Sequence, residues 1–116
     1  MRRFGQHRIG VAQGEVVLFN DYLNDGLMWA GEGQREARSH VAFAEPFVEP
    51  PVVMARLTMF DMSNSANARA DVSAEDATRI GVALVFRTWG DTRVARVRIG
   101  WTAIGPVRDD DDWDIG

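Results

Sequence analysis

Hydrophobic and polar positions alternate most regularly near the end of the chain, where Ala95, Val97, Ile99, Trp101 and Ala103 are separated by Arg96, Arg98, Gly100 and Thr102. A period of two marks a strand with one face buried and the other not. Just upstream, Ile80 to Phe86 is a second apolar run, and the segment between the two holds the turn residues Trp89-Gly90-Asp91-Thr92. The pattern predicts a β-hairpin spanning Ile80 to Ile104. An indole in such a turn lies outside the alternation that places core aromatics, so it is better placed to offer its face to a ligand. Trp89 is therefore the first candidate for a binding residue.

The same reading divides the rest of the chain into short strands. Glu15 to Phe19 is an apolar strand ended by Asn20, Asp21, Asn24, Asp25 and Gly26. Leu27 to Gln34 has small residues around Trp29 and no usable period, which predicts an irregular surface loop and a candidate binding loop. His40 to Ala44 alternates with Val41 and Phe43 on one side, and Pro46, Pro50 and Pro51 then bend the chain before a long strand from Val52 to Phe60. Asp61 to Asn67 is turn-like, Arg69 to Ser73 is another short strand, and Ser73 to Thr78 returns to a turn. Six strands with no helix predict an all-β fold, a six-stranded antiparallel β-sandwich. It forms one domain over residues 1–108, with an irregular segment at 1–14 and an acidic tail at 109–116.

Two strands are apolar on both faces. In the Val52 strand, Val53, Ala55, Leu57 and Met59 oppose Val52, Met54 and Phe60; in the Ile80 strand, Ala83 and Val85 oppose Ile80, Val82, Leu84 and Phe86. A small sandwich buries only one face of each sheet, so the second face is expected to pack on another subunit or to be covered by a loop of the same chain.

Composition narrows the function classes. The 116 residues contain no cysteine, which removes disulfides, thiolate nucleophiles and zinc–thiolate sites. Of the 17 acidic residues, five lie between positions 109 and 116, so the remainder, with its 13 arginines and no lysine, is close to neutral. The arginines are scattered among strands rather than massed in a stripe, which argues against a nucleic-acid partner. Residues 1–10 contain arginines but no continuous apolar run, so they read as neither a secretory signal nor a membrane span. A soluble protein follows, compatible with a cytoplasmic location before release and with a place in an extracellular particle. The only histidines, His7 and His40, have no triad partner by spacing, and no HxH, HExxH or phosphate-loop motif is present. No enzyme activity, metal or cofactor is expected. The Asp109–Asp114 run could chelate a hard cation, but a solvated tail of mutually repelling charges is the simpler reading.

The blocks Val41-Ala-Phe43-Ala-Glu-Pro46-Phe47-Val-Glu-Pro50-Pro51-Val52-Val53, Asp61, Asn67-Ala-Arg69, Gly81, Thr88-Trp89-Gly90-Asp91-Thr92 and Trp101-Thr-Ala-Ile104 resemble the H-type lectin family, over roughly residues 35–105. The snail agglutinin that binds N-acetylgalactosamine and the C-terminal domain of the discoidins typify it. The resemblance implies a six-stranded sandwich assembled as a trimer, sometimes stacked into a hexamer, holding galactose-type sugars near subunit boundaries. By position, Arg69 matches the family's sugar-contacting arginine and Trp89 its tryptophan beside the ligand. Glu32 falls where the snail protein has an aspartate that accepts from sugar hydroxyls, Gly90 where it has a histidine, and Ala30 where it has a glycine.

Each carried-over residue also has a structural reading. Arg69 could pair with an acid such as Asp61 or Glu32 across a subunit contact, and Trp89 could pack into a trimer seam. Asp61, Asn67 and Arg35 read as turn and strut residues. Two functions remain: a lectin acting in glycan recognition or cell adhesion, with Glu32, Arg69, Trp89 and Gly90 at the carbohydrate site, or a structural oligomerisation subunit of a phage-like or surface assembly whose sugar site has decayed.

Overall fold

The computed structural model describes residues 1–109, so the acidic stretch from Asp110 onward lies outside the described residues. Six strands run β1 (Arg8–Asn20), β2 (Arg35–Ala42), β3 (Val52–Met62), β4 (Asp71–Glu75), β5 (Gly81–Thr88) and β6 (Val94–Val107), with a 3-10 turn at Asp21–Asn24 and a single helical turn at Leu27–Ala30. They form two antiparallel three-stranded sheets, one ordered β1-β6-β3 and the other β2-β5-β4. The molecule is the expected six-stranded β-sandwich.

The core forms where the inward alternation of the two central strands meets. Val82, Leu84 and Phe86 of β5 face Val97, Ile99, Trp101 and Ala103 of β6, and Met28, Phe43 and Phe47 close the ends. Phe43 packs edge-on to Phe47 at 5.2 Å and against Trp101 at 5.8 Å. Leu84 is fully buried, and truncating such a side chain to alanine typically costs about 2–5 kcal/mol, the lost transfer energy plus the cavity left behind.

Two expectations are corrected here. Ile80 to Ile104 is not a hairpin: β5 and β6 lie in different sheets, and residues 89–93 carry the chain across the sandwich. Each strand turns one apolar face to the core, and these faces oppose each other across the sandwich instead of lying side by side. The segment 1–14 is also not irregular throughout, because β1 starts at Arg8 and pairs along its whole length with β6, from Arg8↔Val107 to Asn20↔Arg96. The glycines at positions 10 and 14 hid this strand, since they interrupt the apolar pattern while leaving the ladder intact.

The strand from Val52 also changes phase. A bulge between Leu57 and Met59 sets Met59 opposite Arg98 and Phe60 opposite Val97, so the alternation read over Val53–Met59 breaks at Thr58. A matching irregularity between Val17 and Phe19 lets β1 meet Arg98 through Val17 and Val97 through Phe19. Phe19 then reaches the core and packs 5.7 Å from Phe86.

The outer faces of the two sheets are handled differently. On β5, Val85 has no exposed surface although it points away from the core. Its register neighbours are Arg38 on β2 and Ser73 on β4, and above them Arg38 and Arg87 bridge Glu36 and Glu75 at 2.7–3.2 Å. The apolar stems of the arginines roof the valine while their charged heads stay wet. For β5, the expected covering by a subunit or a loop therefore gives way to side chains of the same sheet. On the β1-β6-β3 sheet comparable pairs, Arg98–Glu15 at 3.2 Å and Arg96–Asp61 at 3.3 Å, cross only the end away from Ile9 and Val11. At one end Val11, Ile104 and Val52 stand in one register row, Ile9 lies beside them, and Met54 follows two residues along β3. Ile9, Val11 and Met54 are each at least half exposed.

Candidate functional site

The rim where β5 leaves its sheet is built by Arg35. Its position at the start of β2, opposite Thr88, turns its side chain inward, and it is buried. The guanidinium donates from Nε to the carbonyl of Gly33 at 3.0 Å, from Nη1 to that of Met28 at 3.0 Å and from Nη2 to that of Gly90 at 3.2 Å. One planar group with five donors thus ties the helical turn, the 31–34 loop and the 89–93 crossover together. The strut role expected of Arg35 is what the geometry displays.

Two glycines make the close approach possible. Gly33 and Gly90 both have positive φ, +76° and +69°, and the amide of Gly33 donates to the carbonyl of Gly90 at 2.9 Å. The contact brings Glu32, one residue before Gly33, to the same rim as Trp89. Glu32 is exposed and makes no ion pair with any described residue.

On the other side of the crossover, Arg69 lies over Gly90. A Cβ on Gly90 would sit 3.0 Å from Arg69 Nη1. The same Nη1 donates to Asp91 Oδ1 at 2.6 Å, and this bond, the largest cause, holds the Asp91 carboxyl below the usual carboxylate range. Thr88 Oγ1 donates to the carbonyl of Arg69 at 2.6 Å, and Thr92 Oγ1 to that of Asn67 at 2.5 Å, so two buried threonines anchor the 67–69 segment to the crossover. Arg69 therefore pairs within its own chain, with Asp91 and not with Asp61 or Glu32. Asp61 lies in the other sheet, where it accepts from Arg96 at 3.3 Å.

Trp89 is 43% exposed. It follows Arg87 on the outward side of β5, and both line an open cleft of about 700 Å³ together with Gln34, Glu36 and Asp71. The positions of Glu32, Arg69, Trp89 and Gly90 thus share one rim, although they come from three loops. Asp91 was missed as a member of this group. The signal was present in the Trp-Gly-Asp-Thr run, where an acid two residues beyond an exposed indole is available to engage a nearby arginine. Among the described residues no group of three or more histidines, aspartates or glutamates could hold a metal ion, and no helix is long and apolar enough to cross a membrane.

Two stacked antiparallel sheets with an aromatic, cationic and acidic rim define a β-sandwich binding domain. The chain belongs to the H-type lectin domain family, whose model matches residues 38–104. It is 52% identical over 107 residues to a Fuscovulum blasticum protein named "ATP synthase subunits region ORF 7", covering 92% of this chain and 93% of that one. Among solved structures, it superposes on recombinant discoidin II of Dictyostelium discoideum with a TM-score of 0.73 and 25% identity over 91% of this chain. Wild-type discoidin II from the same organism gives a TM-score of 0.73 over 90%. The chain spans 40% of the length of each discoidin chain.

Proposed function

We propose that the protein is a multivalent lectin that recognises galactose- or N-acetylgalactosamine-type glycans, with Glu32, Arg69, Trp89 and Gly90 at sites near the subunit boundaries of a trimer. The observation that carries this reading is the convergence of an exposed indole, a guanidinium and two carboxylates, Glu32 and Asp91, on one rim of a lectin-family domain. A pyranose offers an apolar C–H face and a ring of hydroxyls that both donate and accept. Trp89 covers the first, Arg69 donates to adjacent oxygens, and Glu32 accepts from hydroxyls through charge-assisted bonds. The absence of a side chain at Gly90 lets the Arg69 guanidinium lie directly against the crossover backbone beside Trp89.

A shallow site of this kind supplies ~4 to 6 kcal/mol, a millimolar to tens-of-micromolar dissociation constant. Several such sites on one assembly raise avidity by ~100-fold where their spacing fits the target, which makes oligomerisation part of the function. The unroofed apolar end formed by Ile9, Val11 and Met54 supports self-association through the β1-β6-β3 sheet. Glycan recognition by such an assembly would serve adhesion to polysaccharide or cell surfaces.

A second reading is favoured by one specific contact. Arg69 is already engaged by Asp91, as expected if the sugar site has decayed and the domain serves as an oligomerising subunit of a phage-like or surface assembly. A glycan array followed by calorimetric titration separates the two. Under the lectin reading, the wild type binds a defined set of glycans and Trp89→Ala abolishes that binding without changing the oligomer's mass. An intact oligomer that binds no glycan establishes the structural reading instead.

A further inference from the structure

The cleft beside Trp89 is distinct from the rim that holds Glu32, Arg69 and Asp91. It lies below the indole on the outer face of the β2-β5-β4 sheet. Its floor is the register row Glu36–Arg87–Asp71, one residue from each strand. From the usual strand spacing that row is about 10 Å wide. Gln34 and Trp89 stand at its upper edge. The volume, about 700 Å³, falls in the range of small-ligand sites, and its lining combines one aromatic wall with several hydrogen-bonding groups.

The polar floor is held in place before any ligand arrives. Arg87 donates from Nε to Glu36 at 2.9 Å and from Nη1 to Glu75 at 2.7 Å, and Asp71 stands 3.9 Å from the same Nη1. Arg38 bridges Glu36 and Glu75 from the other side. The two guanidiniums are thus taken up by Glu36 and Glu75, and Asp71, which lines the cleft, makes only the one long contact among the described residues. The excess of acceptors suits a hydroxyl-rich, uncharged molecule and opposes an anionic one.

Resting on the lectin reading above, we infer that this cleft is a second saccharide subsite, taking the neutral sugar linked to the terminal residue held at the Arg69 rim. Trp89 is the shared wall: one chain of sugars runs past the indole, its terminal unit on the Arg69 side and its next unit over Gln34, Asp71 and Arg87. The preferred ligand is then a neutral oligosaccharide and not a single sugar, and a sialic or uronic acid at the second position is rejected by the carboxylate floor.

The test is calorimetry with the methyl glycoside of the best terminal monosaccharide on a glycan array, with neutral di- and trisaccharides carrying it at the non-reducing end, and with analogues bearing a uronic acid at the second position. Gln34→Ala and Asp71→Ala are combined in one variant; both side chains are exposed and outside the Arg69 rim. The wild type is expected to bind the neutral oligosaccharides at least 10-fold tighter than the monosaccharide and the acidic analogues no tighter than the monosaccharide. The double variant is expected to lose that gain to within about twofold while binding the monosaccharide unchanged. Equal affinity for monosaccharide and oligosaccharide, or a parallel loss of both in the variant, overturns the subsite and leaves the lectin reading standing. Absence of binding to any saccharide by the folded wild type overturns both.

Discussion

Arg69 rests on Gly90, its Nη1 only 3.0 Å from the place a Cβ would occupy, while Gly90 itself holds a φ of +69°. The two residues need each other's geometry: the crossover must turn left-handed to clear the sandwich edge, and the guanidinium can reach Asp91 only over a residue without a side chain. Gly90→Ala should therefore cost about 1–2 kcal/mol in stability from the left-handed backbone alone. It should also displace Arg69 and weaken any saccharide binding. Thermal unfolding and glycan titration of the same preparation check both effects, and an unchanged melting temperature would contradict the first.

Arg35 should prove more important for stability than for recognition. Replacing it with Met keeps the volume and removes the donors, leaving the carbonyls of Met28 and Gly33 without the guanidinium, whereas Leu27 and Gly90 keep backbone partners. Gly33 is exposed and its carbonyl can turn to water, so the cost falls on the buried Met28 carbonyl, about 1–3 kcal/mol. Urea unfolding of Arg35→Met should show this loss, whereas an exposed change such as Glu32→Gln should stay within about 0.5 kcal/mol of the wild type.

The apolar end of the β1-β6-β3 sheet gives a direct test of assembly. Val11 and Met54 are exposed in the isolated chain, so glutamate at either position costs the monomer's fold little. If this face joins subunits, Val11→Glu combined with Met54→Glu should shift the solution mass to that of a monomer. It should also lower binding to a densely glycosylated surface by ~100-fold while preserving single-site affinity. Light scattering and surface binding read the two effects separately, and an unchanged mass would assign the oligomer interface elsewhere.

Acid should weaken the charged roof over Val85. Hydrogen bonds from Arg87 first, and then from Ser73, lower the Glu75 carboxyl from an ordinary 4.5 to about 2. A carboxylate depressed in the folded state contributes stability that is complete above its unfolded value. That contribution is lost as pH falls from about 4.5 toward 2. Glu75→Gln should therefore flatten this acid limb. Urea midpoints near neutral pH and at about pH 3 should fall further for the wild type than for the variant. Parallel falls would mean that Glu75 contributes nothing to the limb.

Much of the architecture was legible in the chain because alternation is a local property. The five polar-separated apolar residues from Ala95 to Ala103 describe β6 on their own, and the prolines at 46, 50 and 51 mark the approach to β3. Alternation also indicates that β5 and β6 each have a face to bury. It does not say which strand each will pair with, and so a hairpin was expected where the chain in fact crosses between sheets. Turn residues at 89–92 are needed in either case. The length of β1 was hidden for a related reason: its ladder to β6 is made by backbone groups, which glycines at 10 and 14 supply as well as any residue.

The rim shows the same division between local and tertiary information. Its place in a turn singled out Trp89, and the family resemblance singled out Arg69 and Glu32; the chemistry each offers a hydroxyl-rich ligand is fixed by its side chain. Their meeting was decided by tertiary structure: Glu32 and Trp89 are far apart in sequence and join because β2 pairs with β5 from Arg35↔Thr88 onward and Arg35 and Gly33 both bond the carbonyl of Gly90. Asp91's hold on Arg69, the roofing of Val85 and the cleft below Trp89 likewise depend on register between strands. Register follows from how two sheets close over one core, a global condition that no window of the sequence contains.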